Sequence, residues 1–304
     1  MKHGFLLAPL TALFALGCSG SDGADAARAE DGTLSVYTVN YPLQYFAERI
    51  GGDQVTVSFS APPDIDPADW SPEPQVIAAY QTADLILTLG PGYAAWLDRA
   101  SLPISRLADT SLGFADRLLA GDDVTHTHGP GGAHSHSANA STAWLDPALA
   151  AEMARSVAAA MTRVRPESEA EFGARRDSLL ADLAEWGAGL AEASAALVGR
   201  AIIYSHPVYG YFDRATGLQG RSLHWEPGEP PDPKGWEMLE ALAGSGGDAV
   251  LVWEGEPLEA TARGVEAQGI MNVIYSPCAN RPREGDLLDV LRAGNRALAM
   301  VPVN

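Results

Sequence analysis

Four short β-like segments in the C-terminal third of this 304-residue chain each lead to a side chain that ligates borderline divalent metals. AIIYS (201–205) runs into His206, and RSLHW (221–225) carries His224, followed by Glu226. DAVLVW (248–253) runs into Glu254, and MNVIYS (271–276) is followed by Cys278. Alone, each is weak. A histidine beside a proline ordinarily makes a structural hydrogen bond, a carboxylate at a strand end often caps a helix, and a single thiol is ordinarily buried. Four at equivalent places point to one site, because open α/β sheets bind ligands beyond the carboxyl ends of their strands. The expected ligands are His206, His224, Glu254 and Cys278.

A second concentration of imidazole is THTHGPGGAHSH (125–136), which holds His126, His128, His134 and His136, four of the seven histidines. It has no regular periodicity, and its glycines and proline suit an exposed, mobile loop. Ordering such a loop around an ion costs about 1–2 kcal/mol per residue fixed. It therefore reads as an accessory metal-collecting segment, with a polar linker as the plainer reading. Its nitrogen donors favour zinc over oxygen-preferring manganese.

The elements that must position these residues follow from hydrophobic patterning. LSVYTVN (34–40) and QVTVSFS (54–60) alternate like strands, and LILTLG (85–90) is a buried-type apolar run. Helical segments at 43–50 and 74–82 separate them. Another helix is expected over 147–163, with Asp146 as N-cap and Pro147 at its first position. Beyond Pro166, Phe172, Leu179, Trp186 and Ala193 recur every seven residues, and Leu183, Leu190 and Leu197 fill the companion seam, with Arg176 its polar exception. A helix of about 30 residues would extend about 45 Å, enough to join two lobes. The βα rhythm then restarts, with helices at 209–216, 235–243 and 258–268 and a last one within 284–301. Strands alternating with helices imply largely parallel sheets. The expected fold is α/β: two lobes with parallel-type sheets flanked by helices, joined by one long rigid helix.

At 304 residues two domains are the natural division. Apolar content of 46% with 19% charged residues is globular, and a net charge of −19 argues against nucleic acid and anionic membranes as partners. Lys2 followed by a short apolar run to Leu16 reads as an export signal. ALGC resembles a lipoprotein cleavage box with Cys18 as the lipidated residue, although Ala15 stands where leucine is usual; ordinary signal cleavage is the alternative. The expected divisions are a signal over 1–18, a flexible tether over 19–32 and an N-terminal lobe over 33–163 containing the His-rich loop 122–141. A linking helix over 164–199 and a C-terminal lobe over 200–304 complete the chain. With Cys18 lipidated, Cys278 has no disulfide partner.

In order and spacing, the segments YPLQYFAERIGGDQV, DPADWSPEPQVIAAYQTADLILTLGPGYAAWLD, WLDP, SHPVYGYFDRATGL, HWEPGEPPDP, VLVWEGEPL and VIYSP resemble the substrate-binding proteins of ABC importers for zinc, manganese and related metals. The resemblance covers nearly the whole mature chain. It implies two α/β lobes bridged by a long helix, with the metal held between them. It also implies four ligand positions, of which only His206 keeps its residue; Ala68, Thr142 and Ser276 occupy the others. Alanine cannot coordinate, and a threonine hydroxyl is a poor zinc ligand. Either the ion has shifted toward the second lobe, onto His206, His224, Glu254 and Cys278 with help from Asp64, Asp66 or Asp69, or the pocket takes another ligand such as a metal chelate. The donors at the strand ends of the second lobe favour the first.

The expected function is therefore that of an exported, lipid-anchored, monomeric receptor, periplasmic or at the cell surface, passing zinc or another divalent transition metal to an ABC importer permease. No catalysis is expected. Two rivals stand beside it: a metal-dependent hydrolase using His206, His224 and Glu254 around an open zinc position, and a metal buffer acting without a permease.

Overall fold

The computed structural model describes Met1 and residues 32–63, 65–90, 92–119, 142–244 and 248–302, together with the backbone of 125–127 and 133–135. The export signal, Cys18, most of the tether, Asp64, His128 and His136 lie outside the described residues. No helix among the described residues is long and apolar enough to cross a membrane.

The first sheet comprises β1 (Leu34–Thr38), β2 (Val55–Ser58), β3 (Leu85–Thr88) and β4 (Leu107–Asp109), all parallel, in the order β2-β1-β3-β4. Around it lie α1 (Tyr41–Gly51), α2 (Pro74–Thr82) and α3 (Pro147–Val164). β4 was not expected: three half-buried residues carry no alternation to read. The His-rich segment contains a short antiparallel pair, β5 (Thr125–Thr127) with β6 (Ala133–Ser135), in which His126 is the register partner of His134. This corrects the expectation of an irregular loop. Alternating threonine and histidine tolerates extended backbone.

After a break at Arg165 and a 3-10 turn, α4 (Glu169–Ala195) runs for 27 residues, about 40 Å. It is shorter than the expected 164–199. Both heptad seams are buried, from Phe172 through Trp186 to Leu190, because α4 lies against α1 and α3 on one side and against α5 (Gly210–Thr216) and α8 (Leu287–Ala299) on the other. Asn295 on α8 donates to the Trp186 carbonyl at 3.0 Å, and Arg49 on α1 pairs with Asp182. One helix thus carries the core of both lobes.

The second sheet repeats the topology of the first. Its strands are β7 (Ala201–Tyr204), β8 (Arg221–Ser222), β9 (Ala249–Trp253) and β10 (Met271–Ile274), all parallel, in the order β10-β9-β7-β8. In each lobe the second strand of the sequence lies outside the first, followed by the third and fourth. That order places a topological switch point beside the first strand, where open α/β sheets bind ligands. α6 (Pro233–Ala243) and α7 (Glu259–Ala267) complete the lobe. A separate apolar cluster, Leu223, Trp225, Leu239, Leu251 and Trp253 among it, fills one sheet face.

The lobes are joined by polar contacts as well as by α4. Asp146 caps α3 through bonds from the Ala148 and Leu149 amides, at 2.9 and 3.3 Å. Its other oxygen takes two bonds from Arg214 on α5, at 2.9 and 2.7 Å. Replacing Asp146 by alanine is expected to cost about 3 kcal/mol in urea unfolding, about 1 for the cap and the rest for a partly buried guanidinium losing its counter-charge. Asp146→Asn should retain the cap share only. A cost below about 0.5 kcal/mol, the range of ordinary surface changes, would overturn this role.

Candidate metal centre

Three adjacent strands deliver the site. β7 lies between β9 and β8; His206 and Glu254 closely follow the ends of β7 and β9, and Glu226 lies on the extended segment beyond β8. The exits are tied together by the backbone: Ser205 N donates to Val252 O at 2.9 Å, and Leu223 N and Trp225 N donate to Tyr204 O and Ser205 O at 2.8 Å. The Glu254 amide reaches the Ser205 hydroxyl at 3.4 Å. Buried Leu223 and Trp225 hold the β8 extension from the core side. Trp225 packs on Trp236 and Trp253, with ring centroids 5.1 and 5.8 Å away.

His206 Nδ1 lies 3.4 Å from Glu226 Oε1 and 4.0 Å from Glu254 Oε1. One ligand atom from each of the three residues can be chosen so that all lie within 4.8 Å of one another. Tetrahedral zinc with ligands at about 2.0–2.1 Å sets its donors about 3.3 Å apart. The His206–Glu226 spacing already meets that value, and the Glu254 oxygen must close about 0.7 Å toward the imidazole by the same geometry. His206 is 5% exposed, whereas the Glu226 and Glu254 side chains retain 36% and 22% exposure. The histidine forms the floor and the carboxylates the walls.

Negative charge is concentrated at this site. The Glu254 carboxyl is pushed up to about 8, first by burial, then by the negative charge of Glu226 and of Asp66. Asp66 belongs to the first lobe, so negative charge converges from both sides. Its loop is held against the second lobe by Asn280, which donates to Pro62 O at 2.6 Å and Ile65 O at 2.8 Å. Arg281 adds bonds to Gln44 and Phe59 O and stacks on the Phe59 ring.

The expected ligands fare differently. His206 and Glu254 come together. His224 is exposed, its ring centroid 6.0 Å from that of His206 and nearly perpendicular to it. Cys278 lies outside the group. Its thiol is 6% exposed, faces Asn280 O at 3.7 Å, and burial pushes its pKa up to about 12, with Asp286 adding to the shift. That thiol keeps its proton. Glu226, noted at the strand end but left out of the expected ligand set, joins the group; its signal is its place two residues after His224 in an extended segment, on the same face. Ala68, Thr142 and Ser276 have local roles. The buried Thr142 hydroxyl donates to Val208 O at 2.6 Å, Ser276 Oγ accepts from Cys278 N at 3.2 Å, and the Ala68 amide donates to Asp66 at 2.9 Å.

A family model described as the periplasmic component A of the zinc-uptake complex, ZnuA, matches residues 36–300. The high-affinity zinc uptake system protein ZnuA of Bacillus subtilis is 24% identical over 213 residues, covering 68% of this chain and 66% of that protein. The zinc-binding lipoprotein AdcA of Streptococcus pneumoniae is 23% identical over 223 residues, covering 72% of this chain. The alignment takes in 43% of AdcA, so the chain spans less than half the length of that relative. The crystal structure of the metal-dependent lipoprotein YcdH from Bacillus subtilis superimposes with a TM-score of 0.74 at 20% identity, over 88% of this chain and 99% of YcdH. Zn(II)-bound AdcA from Streptococcus pneumoniae also gives 0.74, at 16% identity, over 90% of this chain and 58% of AdcA. These likenesses establish the two-lobed fold.

Proposed function

The chain belongs to the ZnuA family of periplasmic zinc-uptake components, and on that membership we propose that it is an extracytoplasmic receptor that binds zinc in the cleft and passes it to an ABC importer permease. The observation that carries the cleft assignment is the convergence of His206, Glu226 and Glu254 at the ends of three neighbouring strands. One imidazole and two carboxylates hold a divalent cation by charge and by directed lone pairs, and no chemistry on the cargo is required.

The site's asymmetry bears on release. All three ligands come from the second lobe, while the interlobe bonds of Thr142, Asn280 and Arg281 need no metal. Release therefore proceeds by local displacement of a carboxylate when the permease docks, rather than by wide separation of the lobes. Cys18 is the proposed lipid anchor, in keeping with AdcA, which is named a lipoprotein. His126, His128, His134 and His136 are the proposed metal-collecting segment, and the receptor is proposed to act as a monomer.

X-ray absorption at the zinc edge tests the cleft assignment on the full chain with the four loop histidines replaced by glutamine. One tightly held zinc per chain, with nitrogen from His206 and carboxylate oxygen in its shell, is expected. A shell that does not change when His206 and Glu226 are replaced would overturn the assignment.

A further inference from the structure

We propose that His224 is the entry ligand of the cleft: it meets the incoming cation at the mouth and completes the coordination begun by His206, Glu226 and Glu254. This rests on the reading of those three residues as the cargo site. Three protein ligands leave four-coordinate zinc with one open position, the arrangement of a catalytic site. A carrier gains from closing that position, and His224 is placed to do so.

Backbone geometry places it. The Leu223 and Trp225 amides both bond back toward β7, so the segment beyond β8 continues extended. Side chains alternate along extended chain. Leu223 and Trp225 go into the core, His224 is exposed and Glu226 half-buried, so His224 and Glu226 share the opposite face. That face carries the cleft, because Glu226 reaches His206 on it.

The ring geometry also fits. A zinc–nitrogen bond of about 2.0–2.1 Å puts each imidazole centroid about 3.2 Å from the metal, and a tetrahedral angle then separates two such centroids by about 5.2 Å. The His206 and His224 centroids are 6.0 Å apart, with the rings at 84°. The His224 nitrogens lie outside the group of donors within 4.8 Å of one another, so joining it takes a change of side-chain rotamer, which an exposed side chain supplies by rotation about its own torsions. Perpendicular rings let both nitrogens approach one ion without the rings colliding. Because His224 is exposed and His206 is buried, the cation meets them in that order, and leaves in the reverse order.

Cobalt(II) is the probe, since its d–d bands are strong in four-coordinate sites and weak in five- or six-coordinate ones. In the full chain with the four loop histidines changed to glutamine, cobalt should give strong bands, and zinc should displace it. His224→Ala should weaken zinc binding about 100-fold, one ligand's share of a four-ligand site, and should lower the band intensity. Free imidazole should restore the bands, a rescue that a merely structural residue would not show. If His224→Ala matches its parent in affinity and in bands, the entry role is overturned while the three-residue site stands. If the parent gives no cobalt bands that depend on His206, the site reading itself falls, and with it this proposal.

Discussion

His206→Ala is expected to lose about 10³-fold in zinc affinity at the cleft while keeping its folded far-ultraviolet signature. The magnitude follows from the role. Structural zinc sites release about 10–16 kcal/mol on binding, so one ligand among three or four carries about 3–4. His206 supplies the only nitrogen of the inner three and stands between the two carboxylates. Without it, two mutually repelling acids remain, one of them holding a proton at neutral pH. Competition against a chromophoric chelator reads the loss, in the background lacking the four loop histidines so that their weaker binding does not mask it. His206→Gln is the companion variant, filling nearly the same buried volume without an imidazole. Tight binding that survives both changes in that background would move the site off His206 altogether.

Glu254→Gln is expected to make the zinc-free protein more stable at pH 8, by up to about 4 kcal/mol, and at the same time to cripple zinc binding. In the fold the Glu254 carboxyl titrates at about 8, against an ordinary value of 4.5. Between those values the folded protein holds a proton that the unfolded chain gives up. Stability is then complete below about pH 4.5 and drains as pH rises toward 8, at up to about 1.4 kcal/mol per pH unit. Glutamine has the same shape and no charge to bury, so its curve lacks this decline. Urea unfolding with chelator present should show the two proteins alike near pH 4.5 and diverging up to pH 8; parallel curves across that range would refute the account. Zinc should restore stability to the parent alone, by occupying the place of the proton. The same proton makes binding pH-dependent, and zinc affinity should rise up to about tenfold per unit between pH 6 and 8, then level off. The buried acid is thus a stability liability that the cargo relieves.

Much of the architecture was legible along the chain. The alternation in 34–40 and the apolar run at 85–90 correspond to β1 and β3, and the expected helix at 74–82 is α2. Those patterns survive because burial is written in residue type: β1 alternates because one of its faces is the more deeply buried, and β3 is apolar throughout because both of its faces are buried. The heptads of α4 were equally plain, since seven successive turns must present apolar residues to two lobes. Boundaries were less secure. The strand expected at 221–225 pairs regularly only at Arg221–Ser222, because beyond it the chain keeps single backbone bonds to β7 while turning toward the site.

The sequence by itself determined the class of fold, the helix that joins the lobes, and the supply of imidazole and carboxylate at strand ends. Which of those donors meet was decided only by the sheet. With the order β10-β9-β7-β8, the strands before His206, Glu226 and Glu254 are neighbours, while β10 lies two strands from β7, about 10 Å away at the usual strand spacing. Cys278, following β10, therefore sits outside the group, and Glu226, following β8, is inside it. Linear order along a chain does not state lateral order in a parallel sheet, because each crossover helix can carry the next strand to either side.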